Sequence, residues 1–195
     1  FIVLVAFIAL AFAQTKPSFP TNYHATISET EITSRGNVTI SKGAEWFSAS
    51  DQAIRIQGTL QGISVENIDL FKTQKQYIVE NGQCQSRSLQ GQYGDPLSII
   101  SAASYVGKAT IDGKSTELWS FKQGSSLSVN IYAAGNAPVR VTFMQNGNGA
   151  QIDYHTFDTS VSSSDFTPPS SCSSDAKATA FKGTSASYYL GQIAA

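Results

Sequence analysis

An all-β, mainly antiparallel fold is expected from three features of this 195-residue chain. Apolar and polar residues alternate with a period of two over many short runs. Turn-forming residues punctuate those runs at hairpin spacing. Only one stretch, 96–106, carries helix start and stop signals.

The elements follow in chain order. Phe1–Ala13 is an unbroken apolar run ending in Ala11-Phe12-Ala13, followed by polar Gln14-Thr15-Lys16. At about 1.5 Å per helical residue it is too short to cross a hydrocarbon core of about 30 Å. It reads as the h-region and cleavage site of a secretory signal peptide, residues 1–13, with an initiator Met and a basic n-region expected before it. The competing reading is a buried first helix or strand. No second stretch approaches membrane-spanning length, so a secreted, extracellular chain beginning near Gln14 is expected.

Strands are expected near 22–32, 37–41, 53–60, 67–72, 76–81, 83–89, 108–111, 116–122, 127–132, 139–145 and 150–158. Ala53-Ile54-Arg55-Ile56-Gln57 and Val139-Arg140-Val141-Thr142-Phe143 carry the alternation most clearly. Asn81-Gly82, Asp112-Gly113 and Asn146-Gly147 mark turns between them. Asp95-Pro96 supplies an N-cap and a first helical position, and Gly107 a stop, so a short helix is expected near 96–106, with an irregular loop as the alternative. Ser173–Ala195 shifts to Ser, Ala, Thr and Gly without a period and reads as a C-terminal tail.

Composition narrows the function. The chain carries 13 Lys+Arg against 14 Asp+Glu, a net charge of −1, and only 14% charged residues. An ordinary soluble domain has about 25%. The 27 serines equal all the charged residues together, so the polar surface is built from neutral groups. No basic excess exists to neutralise phosphates, which argues against nucleic-acid binding. Two cysteines, Cys84 and Cys172, are expected to pair in an oxidising compartment, two buried thiols being the alternative. Asn37-Val38-Thr39 is the one N-glycosylation sequon, so Asn37 is a candidate glycan site.

Asn81-Gly82-Gln83-Cys84, the pair Gly107-Lys108-x-Thr110 and Glu117-Leu118-Trp119-Ser120-Phe121, and the ending Phe166-Thr167-Pro168-Pro169-Ser170-Ser171-Cys172 together resemble the ependymin-related proteins, which are grouped with LolA-like lipoprotein carriers. The resemblance covers about residues 20–172, so residues 14–172 are assigned to an ependymin/LolA-like β domain. It implies strongly curved stacked sheets or a half-barrel around an apolar cavity. It further implies that the terminal cysteine is disulfide-bonded, that a lipid or other hydrophobic molecule is held in the cavity, and that a homodimer is an option. Having only two cysteines, the chain departs from vertebrate ependymins. No stretch resembles a calcium loop, so calcium is not carried over.

Enzyme signatures are weak. The chain lacks a Gly-x-Ser-x-Gly elbow, a His-Glu-x-x-His pair and a Walker loop. Asp153 and His155 share one strand face and with a serine would give a hydrolytic constellation, but a solvated histidine is the simpler reading. His24 and His155 with Asp153 would suit zinc only if the first and last strands abut. Glu29-Thr30-Glu31 reads as a solvated strand end. No cofactor or metal is expected.

The aromatics carry more. Trp119 and Phe121 share one face of a strand, and Ile99, Ile100 and Tyr105 sit on the segment placed to plug a concavity. With Trp46, Phe71 and Tyr77 they are the candidate ligand-binding residues, each weighed against a plain core role. Trp46 and Phe47 are adjacent and point to opposite faces, so one is expected exposed or at an edge. The expected function is a secreted, non-catalytic binder of a lipid or fatty acyl chain. The alternative is a structural or adhesive matrix protein, or an accessory domain of a larger secreted protein.

Overall fold

A computed structural model describes residues 14–33, 36–60 and 62–172. The expected signal peptide and C-terminal tail lie outside these residues. Eleven strands are present: β1 Asn22–Thr33, β2 Gly36–Ser48, β3 Ala53–Leu60, β4 Ile63–Leu70, β5 Lys75–Glu80, β6 Gln83–Ser88, β7 Ser104–Ile111, β8 Lys114–Gln123, β9 Leu127–Ala134, β10 Ala137–Gln145 and β11 Asn148–Asp158. They form one antiparallel sheet in the order β6-β5-β4-β3-β2-β1-β11-β10-β9-β8-β7. All but one of the neighbouring pairs are sequential hairpins. The remaining pair, β1 with β11, joins the two halves of the meander. Among the described residues β6 and β7 are the two edges, and the sheet is open and curved.

Period two decides what each face carries. On β1, Tyr23, Ala25, Ile27 and Glu29 are buried while the residues between them are only partly so. The register continues this inner face across the sheet. One row runs Tyr23, Phe47, Ile54, Asp69, Gln76 and Arg87, and another runs Glu29, Ile152, Val141, Ile131, Trp119 and Tyr105. Side chains from both halves meet in one core, which places this face on the inside of the curve. Gly43 and Gly58 lie directly opposite each other on β2 and β3. A Cβ on Gly43 would overlap the Gln57 carbonyl, so this close backbone approach requires glycine.

The outer face has its own small core. Ala53, Ile68 and Phe166 are buried there against Trp46, Leu70, Tyr77 and Val161. The chain after β11 folds back over this patch. A one-turn 3-10 helix at Ser163–Phe166 starts with a capping box between Ser162 and Asp165. Arg55 donates from Nη1 to the Asp165 carbonyl at 2.8 Å, and Ser163 donates to Asp51. The segment ends at the disulfide between Cys84 and Cys172, whose Cα atoms are 4.5 Å apart.

Three expectations require correction. The helix near 96–106 is only a five-residue 3-10 turn, Ser98–Ala102. Asp95 sits in the turn that leads into it, its Oδ1 accepting the Leu97 N–H at 2.9 Å and its carbonyl the Ser98 N–H at 3.1 Å, while Leu97 holds the N-cap position without a side-chain cap. Ser and Ile are mediocre helix formers, and β8 offers Ser104–Ile111 a ladder to join, so the chain turns extended at Ala103. Tyr105 is therefore a strand residue. Next, the strand expected over 37–41 runs through Ser48, which puts Trp46 in mid-strand. It is neither fully exposed nor at an edge: its ring lies between the His24 ring, 4.6 Å away, and the Arg55 guanidinium, 5.0 Å away. Last, Glu29 is buried on the inner face, since its parity matches Tyr23, Ala25 and Ile27, whereas Glu31 is exposed.

Candidate functional site

Among the described residues the inner face is closed by two irregular segments. Residues 89–103 cross it with Leu89, Leu97, Ile99, Ile100 and Ala103 buried against the sheet and Tyr93 packed at their side. Residues 14–21 form a second strap. Pro17 is buried, Phe19 packs on the core, and Lys16 donates from Nζ to the Ser101 carbonyl at 2.6 Å. The same ammonium stands 5.9 Å from the Trp119 ring centre, so Lys16 ties one strap to the other over that indole. Gln14 reaches Glu117, and the Ser18 N–H reaches Asn136.

Trp119, Phe71, Ile99 and Ile100 all lie buried in this one cluster, with Phe121 partly buried beside them. Tyr105 is more than one-third exposed and meets Trp119 edge-on at 5.3 Å. Trp46 and Tyr77 lie elsewhere, on the outer face under the C-terminal segment. Cys84 is on that outer side too, bonded to Cys172. Asn37 is exposed at the start of β2.

The face also holds polar groups that pattern reading did not assign to it. Glu45, Asp69 and Tyr23 are wholly buried, and Tyr154 is nearly so. Glu45 lies against the Tyr154 hydroxyl and acts on Tyr23 as well. The Tyr23 and Tyr93 hydroxyls and the Trp119 indole N–H have no hydrogen-bond partner among the described residues. Parity was the available signal, since Glu45 shares its face with Phe47 in Gly43-Ala44-Glu45-Trp46-Phe47.

Two aspartates here are pushed up by burial. Asp69 rises from 3.8 to about 6, against the lowering effect of hydrogen bonds from Gln76 and Asn67 and of the Arg87 charge. Asp95 rises from 3.8 to about 6, partly offset by the Leu97 N–H. An acid whose folded pKa exceeds its unfolded value stabilises the fold while it is protonated. That contribution is full below about 4 and is lost as pH rises through about 6. Stability at pH 5 is expected to exceed that at pH 7.5 by about 1 kcal/mol for each group. Denaturant unfolding at the two pH values checks this, and Asp69→Asn should remove about half of the difference. Equal stability at both pH values contradicts it.

His155 and Ser28 come together, Nε2 to Oγ at 3.0 Å, on the exposed outer side of β11 and β1. Asp153 is engaged elsewhere, one oxygen with Arg140 and the other with Gln151 Nε2 at 2.8 Å. His24 meets Asp158 at 3.2 Å. Among the described residues no group of three or more His, Cys, Asp or Glu is arranged to hold a metal, and no helix is long and apolar enough to cross a membrane.

An uncharacterised conserved protein from Thermus thermophilus superposes with a TM-score of 0.51 at 10% identity, over 80% of this chain and 91% of that one. That likeness is one of fold. LprF from Mycobacterium bovis gives 0.48 at 11% identity, over 72% and 88% of the two chains. A domain assigned to outer membrane lipoprotein sorting, from Vibrio parahaemolyticus, gives 0.32 at 7%, over 77% and 91%. No family model and no curated protein matches the chain, so the ependymin side of the expected resemblance finds no support there.

Proposed function

We propose that the protein is an exported, non-catalytic carrier that holds a lipid or fatty acyl chain against the inner face of its curved sheet, the LolA-like side of the resemblance. One observation carries this reading. Among the described residues, a broad apolar face with aromatic rings and three buried hydrogen-bonding groups without a partner is closed by two straps, 14–21 and 89–103. Each buried unsatisfied group costs about 1–3 kcal/mol, a cost a ligand or bound water relieves. In this structure the straps themselves lie on the face, so an acyl chain enters by displacing one of them. The Lys16 contacts are exposed and cost little to break.

The disulfide fits export into an oxidising compartment. A non-catalytic role fits the outer-face histidine. His155 lacks the orienting carboxylate of Asp153, and the backbone N–H groups around Ser28 belong to a strand ladder rather than to an oxyanion hole. The alternative, an adhesive or structural protein, is favoured by β7, an edge strand among the described residues, where Val106 is 59% exposed beside Tyr105.

The two tryptophans provide the test. Trp46→Phe leaves Trp119 as the lone indole on the inner face. Titration with a decyl-chain ligand is expected to shift the Trp119 emission saturably, while Trp46 in a Trp119→Phe variant stays silent. Absence of any emission change at saturating decanol contradicts the carrier reading. Native mass spectrometry of protein from its source should also find co-purifying lipid.

A further inference from the structure

The two straps cross over Trp119, and hydrogen-bond donors collect there. Trp119 is 3% exposed, and its indole N–H has no partner among the described residues. An indole nitrogen only donates, so whatever satisfies it must be an acceptor. Lys16 stands over the same ring, 5.9 Å from its centre, and donates one hydrogen bond to the Ser101 carbonyl at 2.6 Å. An ammonium has three donors, and among the described residues Lys16 makes no ion pair. A neutral carbonyl leaves its charge unmatched, and an anionic oxygen is the stronger acceptor.

The charges in register with the crossing are few. Glu117 precedes Trp119 by two positions on β8 and accepts from Gln14, and Lys108 on β7 is its cross-strand partner. The two lysines outnumber that acid. The straps are also held differently. Residues 14–21 are tied to the sheet itself: Pro17 is buried, Phe19 packs on the core, the Ser18 N–H donates to Asn136 Oδ1 at 3.0 Å, and Gln14 donates to Glu117. Lys16 is the exception, since it reaches across to the other strap.

We propose that the carried ligand ends in an anionic oxygen head, a carboxylate or a phosphate monoester, which takes the Lys16 ammonium over from the Ser101 carbonyl and accepts the Trp119 indole N–H. This rests on the carrier reading and names the polar end of its ligand. The head sits at the strap crossing beside Tyr105, whose ring is edge-on to Trp119 at 5.3 Å, and the alkyl chain runs along the apolar face. Losing Lys16 unfastens residues 89–103, while 14–21 keeps its place through its own ties to the sheet. Lys16 is thus the latch of the empty carrier and the counter-charge of the loaded one.

Decanoate, decyl phosphate, decanol and decylammonium share one chain and differ only in the head. Calorimetric titration of the protein at pH 7 with each, below micelle-forming concentrations, is the test. An anionic head is expected to bind about ten-fold tighter than decanol, the effect of one charge-assisted hydrogen bond, with decylammonium weakest. Whichever of decanoate and decyl phosphate binds tighter assigns the head to a fatty acid or to a phosphate ester. Lys16→Met keeps the apolar stem and removes the charge, and it should erase the preference for an anion over decanol. Lys16→Arg should restore it. Lys16 is exposed, so neither substitution threatens the fold. Added salt should narrow the preference in the unsubstituted protein and leave Lys16→Met unmoved. If decanol binds as tightly as both anions, if decylammonium binds tightest, or if the preference survives in Lys16→Met, the head assignment is wrong while the carrier reading stands. If none of the four binds, both fail.

Discussion

Reducing the Cys84–Cys172 disulfide is expected to lower the melting temperature by about 10–18 °C. The bond closes a loop of 88 residues. Constraining such a loop in the unfolded chain stabilises the fold by about 4.6 kcal/mol on chain-entropy grounds. A domain of this size shifts by about 2–4 °C per kcal/mol. The bond also fastens the C-terminal segment over the outer face, joining edge strand β6 to the end of the described chain. Its loss should loosen Phe166 and Val161 from Ile68 and Tyr77 and raise hydrogen exchange in β5 and β6 before the rest of the sheet. Calorimetry with and without reductant, and on the Cys84→Ser/Cys172→Ser variant, measures the effect. An unchanged melting curve contradicts it.

Phe47→Ala should cost about 3–5 kcal/mol, the range for truncating a fully buried aromatic. Phe47 is wholly buried at the middle of the inner face, stacked on Tyr23 and opposite Ile54. Its neighbour Trp46 provides the control. Trp46→Ala removes a larger ring, yet one held on the outer face between His24 and Arg55 and only half-buried. Its cost should be clearly smaller, and decyl-chain binding should survive in Trp46→Ala and weaken in Phe47→Ala. Chemical denaturation of both variants decides the stability order; equal costs would mean that the inner face is not the main core.

Much of the strand pattern was legible because a strand's faces are written in period two. All eleven strands among the described residues overlap the runs that alternation and turn residues mark out, and Cys84 pairs with Cys172 as expected. Two local readings failed where a neighbouring strand outweighed local propensity. Tyr105 and Val106 followed a helix start signal in sequence, but the ladder with β8 holds them extended. Glu29 followed the rule that acids are solvated, but parity commits it to the inner face.

The candidate site was legible only in part. Trp119, Phe71, Ile99 and Ile100 share one cluster, whereas Trp46 and Tyr77 belong to the other face. Alternation says that neighbours on a strand point opposite ways; it does not say which way is inward, because that is set by curvature and by what folds over each side. Nor does it show that Glu45, Tyr23 and Tyr154 converge, since they lie on three strands drawn from the two ends of the chain. The sequence by itself determined an antiparallel β protein, its strand positions and its cysteine pairing, for these rest on local periodicity and on there being only two cysteines to pair. Only the tertiary structure decided that the sheet is single and open, which face is inner, and that buried acids meet aromatic rings there. Those facts depend on the β1–β11 pairing and on the two straps, and long-range packing of that kind leaves no local pattern in the chain.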